Sequence, residues 1–327
     1  MMRLSFSAYK QVQSISFPTA NTLINMDQFI ISRPNRVVVV MGATGTGKTR
    51  LSIDLANRFD GEIINSDKIQ VYKGLDVVTN KITDEETRGI PHHLLGIVDP
   101  NAHFSAQEFV HRATTASKSI TGRAKLPIIA GGSNSFIKAL VNENAEFRSK
   151  FECCFLWVDV SVPVLHSAVS DRVDKMVRAG LVDETREFYE PRGDYSKGIR
   201  RAIGVPEMDE LFRNEGLVDD ETRKKLLEEC IDRIKVNTRS LASRQVKNIL
   251  RLEQELRPCR VHRLNATEMF LTRGKEEADE AWEKLVAGPG TSIVGRFLCE
   301  DYKRVGFVPA KSNLGAAATA VTTASYY

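Results

Sequence analysis

The spacing of hydrophobic positions changes several times along this chain, and each change predicts an element. Val37-Val38-Val39-Val40-Met41 is an unbroken apolar run ending at Gly42, the pattern of a short strand buried on both faces. From Lys48 to Phe59 the period lengthens, and Leu51, Leu55 and Phe59 fall on one stripe, which predicts an amphipathic helix. Glu62-Ile63-Ile64 predicts a second strand that stops at Asn65-Ser66-Asp67. Ser105 to Arg123 predicts a helix with Phe109 and Ala113 on one side. Leu126-Pro127-Ile128-Ile129-Ala130 predicts a third strand ending in Gly131-Gly132, and Phe155-Leu156-Trp157-Val158 a fourth, closed by Asp159. After Val164 the pattern turns mostly helical, with a long basic helix near Leu226–Leu252. Alternating strands and helices predict an α/β fold: a mainly parallel sheet with helices on both faces, followed by a helical C-terminal part.

Both ends depart from this pattern. Residues 1–34 are basic and serine-containing with a single acid, Asp27, the profile of a transit peptide or a disordered N-terminus. Residues 311–327 are rich in Ala, Thr and Ser without hydrophobic period and are expected to form a flexible tail. Residues 35–310 between them are read as the folded domain. With 42% hydrophobic and 27% charged residues, disorder, collagen and coiled coil are excluded as global descriptions. No run approaches the roughly 18 apolar residues of a membrane span, so no membrane partner is expected. Five cysteines without a C-x-x-C pair argue for a reducing compartment and against a disulfide framework or a zinc site.

One motif carries chemistry. Gly42-Ala43-Thr44-Gly45-Thr46-Gly47-Lys48-Thr49 is a complete phosphate loop, placed after a buried strand and opening a helix, which makes the fold P-loop NTPase-like. All eight residues are candidate substrate-binding groups: the glycines let backbone N–H groups wrap a phosphate, Lys48 reaches the outer phosphates, and the Thr49 hydroxyl can ligate Mg²⁺. The motif specifies a di- or triphosphate, not what carries it. The net charge of +4 suits such a ligand without requiring nucleic acid.

Ligands of open α/β sheets bind beyond the carboxyl ends of the strands, so the loop, Asn65-Ser66-Asp67 and Gly131-Gly132-Ser133 should converge. Asp67 could serve there as a general base, an outer magnesium ligand or an exposed loop acid. Asp159 fits the loose pattern of a magnesium aspartate and keeps a kinase in play. On the basic helix, Arg233, Arg244, Lys247 and Arg251 share a face expected to be solvated. Lys235 and Arg239 lie instead beside the apolar stripe of Ile231, Ala242, Val246 and Ile249, where a cation needs a partner. A bound diphosphate is the favoured partner, an internal carboxylate the alternative.

Beyond the loop, the segments Ile64-Asn65-Ser66-Asp67-Lys68-Ile69-Gln70-Val71-Tyr72-Lys73-Gly74-Leu75-Asp76, Pro91-His92-His93-Leu94-Leu95, Ile128-Ile129-Ala130-Gly131-Gly132-Ser133 and Thr238-Arg239-Ser240-Leu241-Ala242-Ser243-Arg244-Gln245 together resemble the dimethylallyl (isopentenyl) transferases that modify adenine N6. The likeness covers roughly residues 36–255 and is greatest to the plant adenylate isopentenyltransferases of cytokinin synthesis. The resemblance implies that the loop holds the donor, dimethylallyl diphosphate, with Mg²⁺ as cofactor. It implies that Asp67 is the base at the adenine N6 amine, that Ser66 adjoins it, that Lys48 and Thr49 hold the leaving diphosphate, and that Arg239 is its counter-charge, with Lys235 one turn away. Arg200-Arg201-Ala202-Ile203-Gly204 also matches, without an evident role.

Members that modify tRNA carry a large helical insertion that the span from Phe136 to Cys154 is too short to hold, so the expected acceptor is ADP or ATP, with AMP also possible, rather than tRNA. Most plant members act in plastids, others in the cytosol or mitochondrion; a plastid location and a monomer are expected. The competing readings are a tRNA dimethylallyltransferase and a P-loop small-molecule or nucleotide kinase.

Overall fold

The computed structural model describes residues 35–304; the transit peptide or disordered N-terminus expected over 1–34 and the tail expected over 311–327 lie outside the described residues. Six strands form one all-parallel sheet: β1 (Asn35–Met41), β2 (Gly61–Asn65), β3 (His92–His93), β4 (Leu126–Ala130), β5 (Phe151–Asp159) and β6 (Val261–Asn265), in the order β3-β2-β4-β1-β5-β6. β1 is central, with Val38 opposite Ile128 on one side and Val39 opposite Phe155 on the other. Its residues alternate between two apolar cores, Val37, Val39 and Met41 in one and Val38 and Val40 in the other. This two-faced burial is why the run carries no polar residue.

The helices are α1 (Lys48–Phe59), α2 (Ala106–Gly122), α3 (Asn134–Lys138), α4 (Ala145–Lys150), α5 (Val162–Arg178), α6 (Leu181–Glu187), α7 (Val205–Arg213), α8 (Asp220–Glu255), α9 (Thr267–Leu271), α10 (Lys275–Trp282) and α11 (Gly288–Arg304). The Ser105 hydroxyl accepts from the Glu108 N–H and starts α2 where the sequence predicts. The basic helix, α8, runs for 36 residues from its cap at Asp219. Two strands were not anticipated. β3 is only a histidine pair, and β6 buries only Leu264 among Val261–Asn265, so neither carries an apolar run. Among the described residues no helix is long and apolar enough to cross a membrane.

At the carboxyl edge three strand ends meet. The Gly131 N–H donates to the Val40 carbonyl (3.4 Å) and the Ser66 N–H to the Ala130 carbonyl (2.8 Å), drawing the ends of β1, β2 and β4 together beside the phosphate loop. α5 and α8 pack against each other along this edge.

Candidate active site

The phosphate loop takes its shape from its last two glycines. Gly45 (φ 82°) and Gly47 (φ 93°) adopt the left-handed conformation that disfavours side chains. Gly45 also lies against α5, where an added Cβ would stand 2.7 Å from Val169 Cγ1. Ala43 and Thr46 turn inward and are buried, Thr46 Oγ1 donating to the Ala43 carbonyl at 2.9 Å. Lys48 Nζ donates to that same carbonyl at 2.7 Å. The outward residues Thr44, Gly45, Gly47, Lys48 and Thr49 line a cavity of about 700 Å³.

Asp67 lines this cavity with its two oxygens in different situations. Oδ1 accepts from the Ile69 N–H (2.9 Å) and the Gln70 N–H (3.4 Å), so the carboxylate is fixed by its own backbone turn. Oδ2 lies on the Gly132 side, 3.6 Å from where a Cβ on that glycine would stand, and has no hydrogen-bond partner among the described residues. Lys48 and Arg172, the latter from α5, complete the group. Burial pushes the Lys48 ammonium down to about 8, against the pull of Asp67 and with a further push from Arg172. Burial likewise lowers Arg172, again opposed by Asp67. Arg172 Nη2 donates to Thr44 Oγ1 at 2.8 Å, while its Nε is buried without a partner. Two cations facing one carboxylate leave a positive excess suited to a polyanion.

Gln245, from α8, ties the parts together: its Oε1 accepts from the Thr44 N–H (2.7 Å) and its Nε2 donates to the Gly132 carbonyl (3.0 Å). Part of the cavity wall beyond is apolar, among polar and charged residues that include Gln70, Glu86, Arg88 and Arg201. Val78, Met176, Ile203 and Ile234 come from one core and its fringe, and Ile53, Ile63 and Ile82 from the other. His92 also faces the cavity. Its Nδ1 is 2.8 Å from the Ile90 carbonyl, so Nδ1 donates and Nε2 is left bare and buried, and burial lowers its pKa.

Several expected residues lie elsewhere. The Ser66 hydroxyl is fully buried against Gly131 and does not line the cavity. Lys235 pairs with Asp174 at 2.7 Å and Arg239 Nη1 donates to Ser170 Oγ at 3.0 Å; neither lines the cavity. The reason is geometric. α5 offers Ser170 and Asp174 four residues apart, the same spacing as Arg239 and Lys235 reversed, so the two antiparallel helices give Lys235 a carboxylate partner and Arg239 a neutral hydroxyl acceptor. Arg244 is exposed, as expected, and also borders the cavity. Asp159 is buried and gripped by Arg263 Nε (3.0 Å) and Nη2 (2.6 Å), away from the cavity lining. Arg172 and Gln245 were assigned no role from sequence; a cation beside the α5 stripe of Val169, Val173 and Met176 was the available signal for the first.

Among the described residues no cluster of three or more His, Cys, Asp or Glu side chains could hold a metal. Thr49, at the start of α1 and lining the cavity, carries the hydroxyl that a Mg²⁺ arriving on substrate phosphates and keeping most of its waters would use.

A family model described as IPP transferase matches residues 70–150 and 141–251. The chain is 53% identical over 299 residues to adenylate isopentenyltransferase 7, mitochondrial, of Arabidopsis thaliana, covering 90% of each. It is 55% identical over 301 residues to adenylate isopentenyltransferase 5, chloroplastic, of the same plant, covering 91% of this chain and 90% of the relative. Among solved structures it is similar to a eukaryotic dimethylallyltransferase acting on tRNA, with TM-score 0.70 and 25% identity, over 81% of this chain and 80% of that one. A tRNA isopentenylpyrophosphate transferase from Bacillus halodurans gives TM-score 0.64 and 26% identity, over 84% of this chain and 99% of that one.

Proposed function

The chain belongs to the IPP transferase family, and from that premise we propose that it is an adenylate isopentenyltransferase, moving the dimethylallyl group of dimethylallyl diphosphate to N6 of the adenine of ADP or ATP. The observation that carries the reading is the pairing, in one cavity, of a diphosphate loop with a carboxylate anchored through one oxygen and open at the other. An exocyclic adenine amine is a weak nucleophile, because its lone pair is delocalised into the ring. The allylic carbon compensates by ionising readily once negative charge on the departing diphosphate is stabilised.

In this reading Lys48, Arg172 and the loop amides hold the diphosphate and take up its charge. Asp67 Oδ2 accepts the proton released as the C–N bond forms. Val78, Met176, Ile203 and Ile234 wall the allyl group and keep water from it. Thr49 would hold Mg²⁺ on the diphosphate, where the ion would neutralise developing charge.

The acceptor is assigned as a free nucleotide because relatives named for adenylate match at 53–55% identity, against 25–26% for those acting on tRNA. The structural likeness to enzymes acting on tRNA keeps RNA as the second reading. A plastid location, with residues 1–34 as transit peptide, is proposed from the basic, acid-poor N-terminus and the chloroplastic relatives.

The test is one incubation series with dimethylallyl diphosphate and Mg²⁺, offering AMP, ADP, ATP and unmodified tRNA separately and reading products by mass spectrometry. A dimethylallyl group on ADP or ATP but not on tRNA is expected. Modified tRNA alone would transfer the assignment to the second reading, and ATP consumption without prenylation would make the protein a kinase. Asp67→Asn is expected to lower kcat by orders of magnitude while donor binding is largely kept.

A further inference from the structure

The C-terminal helices grip the phosphate loop from below, and the grip centres on one side chain. Trp282, at the end of α10, is 1% exposed. Its ring lies under the last glycine of the loop: a Cβ added to Gly47 would stand 2.9 Å from both Cη2 and Cζ3. The indole N–H donates to Asp54 Oδ2 of α1 at 2.8 Å. The guanidinium of Arg50, which borders the cavity, stacks over the same ring at 4.7 Å and pairs with Asp279 at 2.8 Å. One turn beyond Asp54, Arg58 reaches Glu283 (2.7 Å) and Thr291 (2.6 Å). The first turns of α1, whose amides open onto the diphosphate, are thus held from a segment more than two hundred residues later in the chain.

We propose that Trp282 is a positioning residue for donor binding, fixing Gly47 and the start of α1 so that the loop amides are already aimed at the diphosphate. This deepens the function proposed above and rests on the loop being the donor's diphosphate site. The physical argument is preorganisation. Gly47 needs the left-handed conformation to present its N–H, and a glycine in isolation gains nothing from holding it. A flat, rigid ring packed against its Cα removes the freedom that would otherwise be lost on binding. The N–H bond to Asp54 sets the ring's orientation, so the whole indole is used rather than its volume alone. Because the contact is with the loop and not with the reacting carbon, Trp282 should affect donor binding more than turnover.

The experiment uses the full chain with inorganic diphosphate plus Mg²⁺ as probe and dimethylallyl diphosphate as substrate. Trp282→Phe, which loses both the N–H and the Cη2 and Cζ3 edge that meets Gly47, is expected to raise the diphosphate Kd and the donor KM about tenfold, with kcat within about twofold. Val294→Ala trims the same core from α11 without touching the loop. It is expected to lower Tm but leave donor KM unchanged. Hydrogen exchange on the wild type should show residues 275–291 better protected when diphosphate is bound, which mere core packing would not produce. Equal donor KM and Kd in Trp282→Phe and wild type, or an equal KM rise in Val294→Ala, would overturn the positioning role while leaving the donor assignment intact. A wild type that binds no diphosphate would overturn both.

Discussion

Thr44 and Gln245, 201 residues apart in the chain, are joined by a 2.7 Å hydrogen bond from the backbone N–H of the first to the side-chain Oε1 of the second. The amide spends its other end on the Gly132 carbonyl, so one buried side chain sets the distance between the phosphate loop and the turn that flanks Asp67. The phosphate loop and the Asp67 turn are held in register by a residue that belongs to neither.

Replacing Gln245 by Leu preserves volume but strands a buried N–H and a buried carbonyl. A loss of about 1–3 kcal/mol of stability is expected, together with a raised donor KM. Gln245→Glu could still accept from Thr44 but would face Gly132 with no donor and bring a negative charge to the diphosphate loop, so its KM should rise further. Thermal unfolding and donor KM measured on both variants check this; a Leu variant matching wild type in both would mean that the loop is held by other contacts.

Arg172 is expected to matter as much as the loop lysine. Its Nη2 holds Thr44 and its Nε is buried without a partner, within the electrostatic reach of Asp67, an arrangement that an incoming anion would complete. Arg172→Ala should lower kcat/KM for the donor by about a hundredfold or more, and Arg172→Lys should recover only part, since an ammonium cannot serve both sides. Steady-state kinetics at fixed acceptor decide the point; a loss under a few-fold would remove Arg172 from the diphosphate site.

The legible parts of this molecule were those where one short segment carries both the local fold and the candidate chemistry. Val37–Met41, the phosphate loop and α1 follow one another, so period, glycines and lysine could be read together. What escaped depends on distant packing. His92–His93 becomes a strand only because β2 lies beside it. Arg172 was hidden because nothing in α5 alone says that Gly45 will rest on Val169. Lys235 shows the converse. The sequence correctly marked it as a cation needing a partner, but the choice between diphosphate and carboxylate turned on Asp174, whose position depends on how α5 packs on α8.

Asp159 ends a strand in the position of a magnesium aspartate, yet Arg263 holds it through two nitrogens. Its role is therefore to tie β5 to β6, the neighbouring edge strand. Asp159→Asn is expected to lower Tm by a few degrees, because Arg263 is mostly exposed and the pair is partly screened. Donor and acceptor KM and kcat should stay within about twofold of wild type. A collapse of kcat with normal folding would instead place Asp159 in the chemistry and revive the kinase reading.

The pH dependence of donor capture follows from Lys48. Its ammonium is pushed down from the usual 10.5 to about 8, chiefly by burial. In the free enzyme the proton is therefore lost as pH rises through about 8, and the loop's attraction for diphosphate goes with it. Stability moves the opposite way. The unfolded chain still binds this proton between about 8 and 10.5, so across that window the unliganded fold gains stability from Lys48 as pH rises. kcat/KM for the donor should accordingly fall above pH about 8 with a slope of one, and donor binding near that pH should take up a proton. Arg172 is one cause of the lowering, so Arg172→Ala should move the limb to higher pH even as it weakens binding overall, and Lys48→Arg should remove the limb from the accessible range. A profile in which neither variant shifts the alkaline limb would assign it to another group and detach Lys48 from donor recognition.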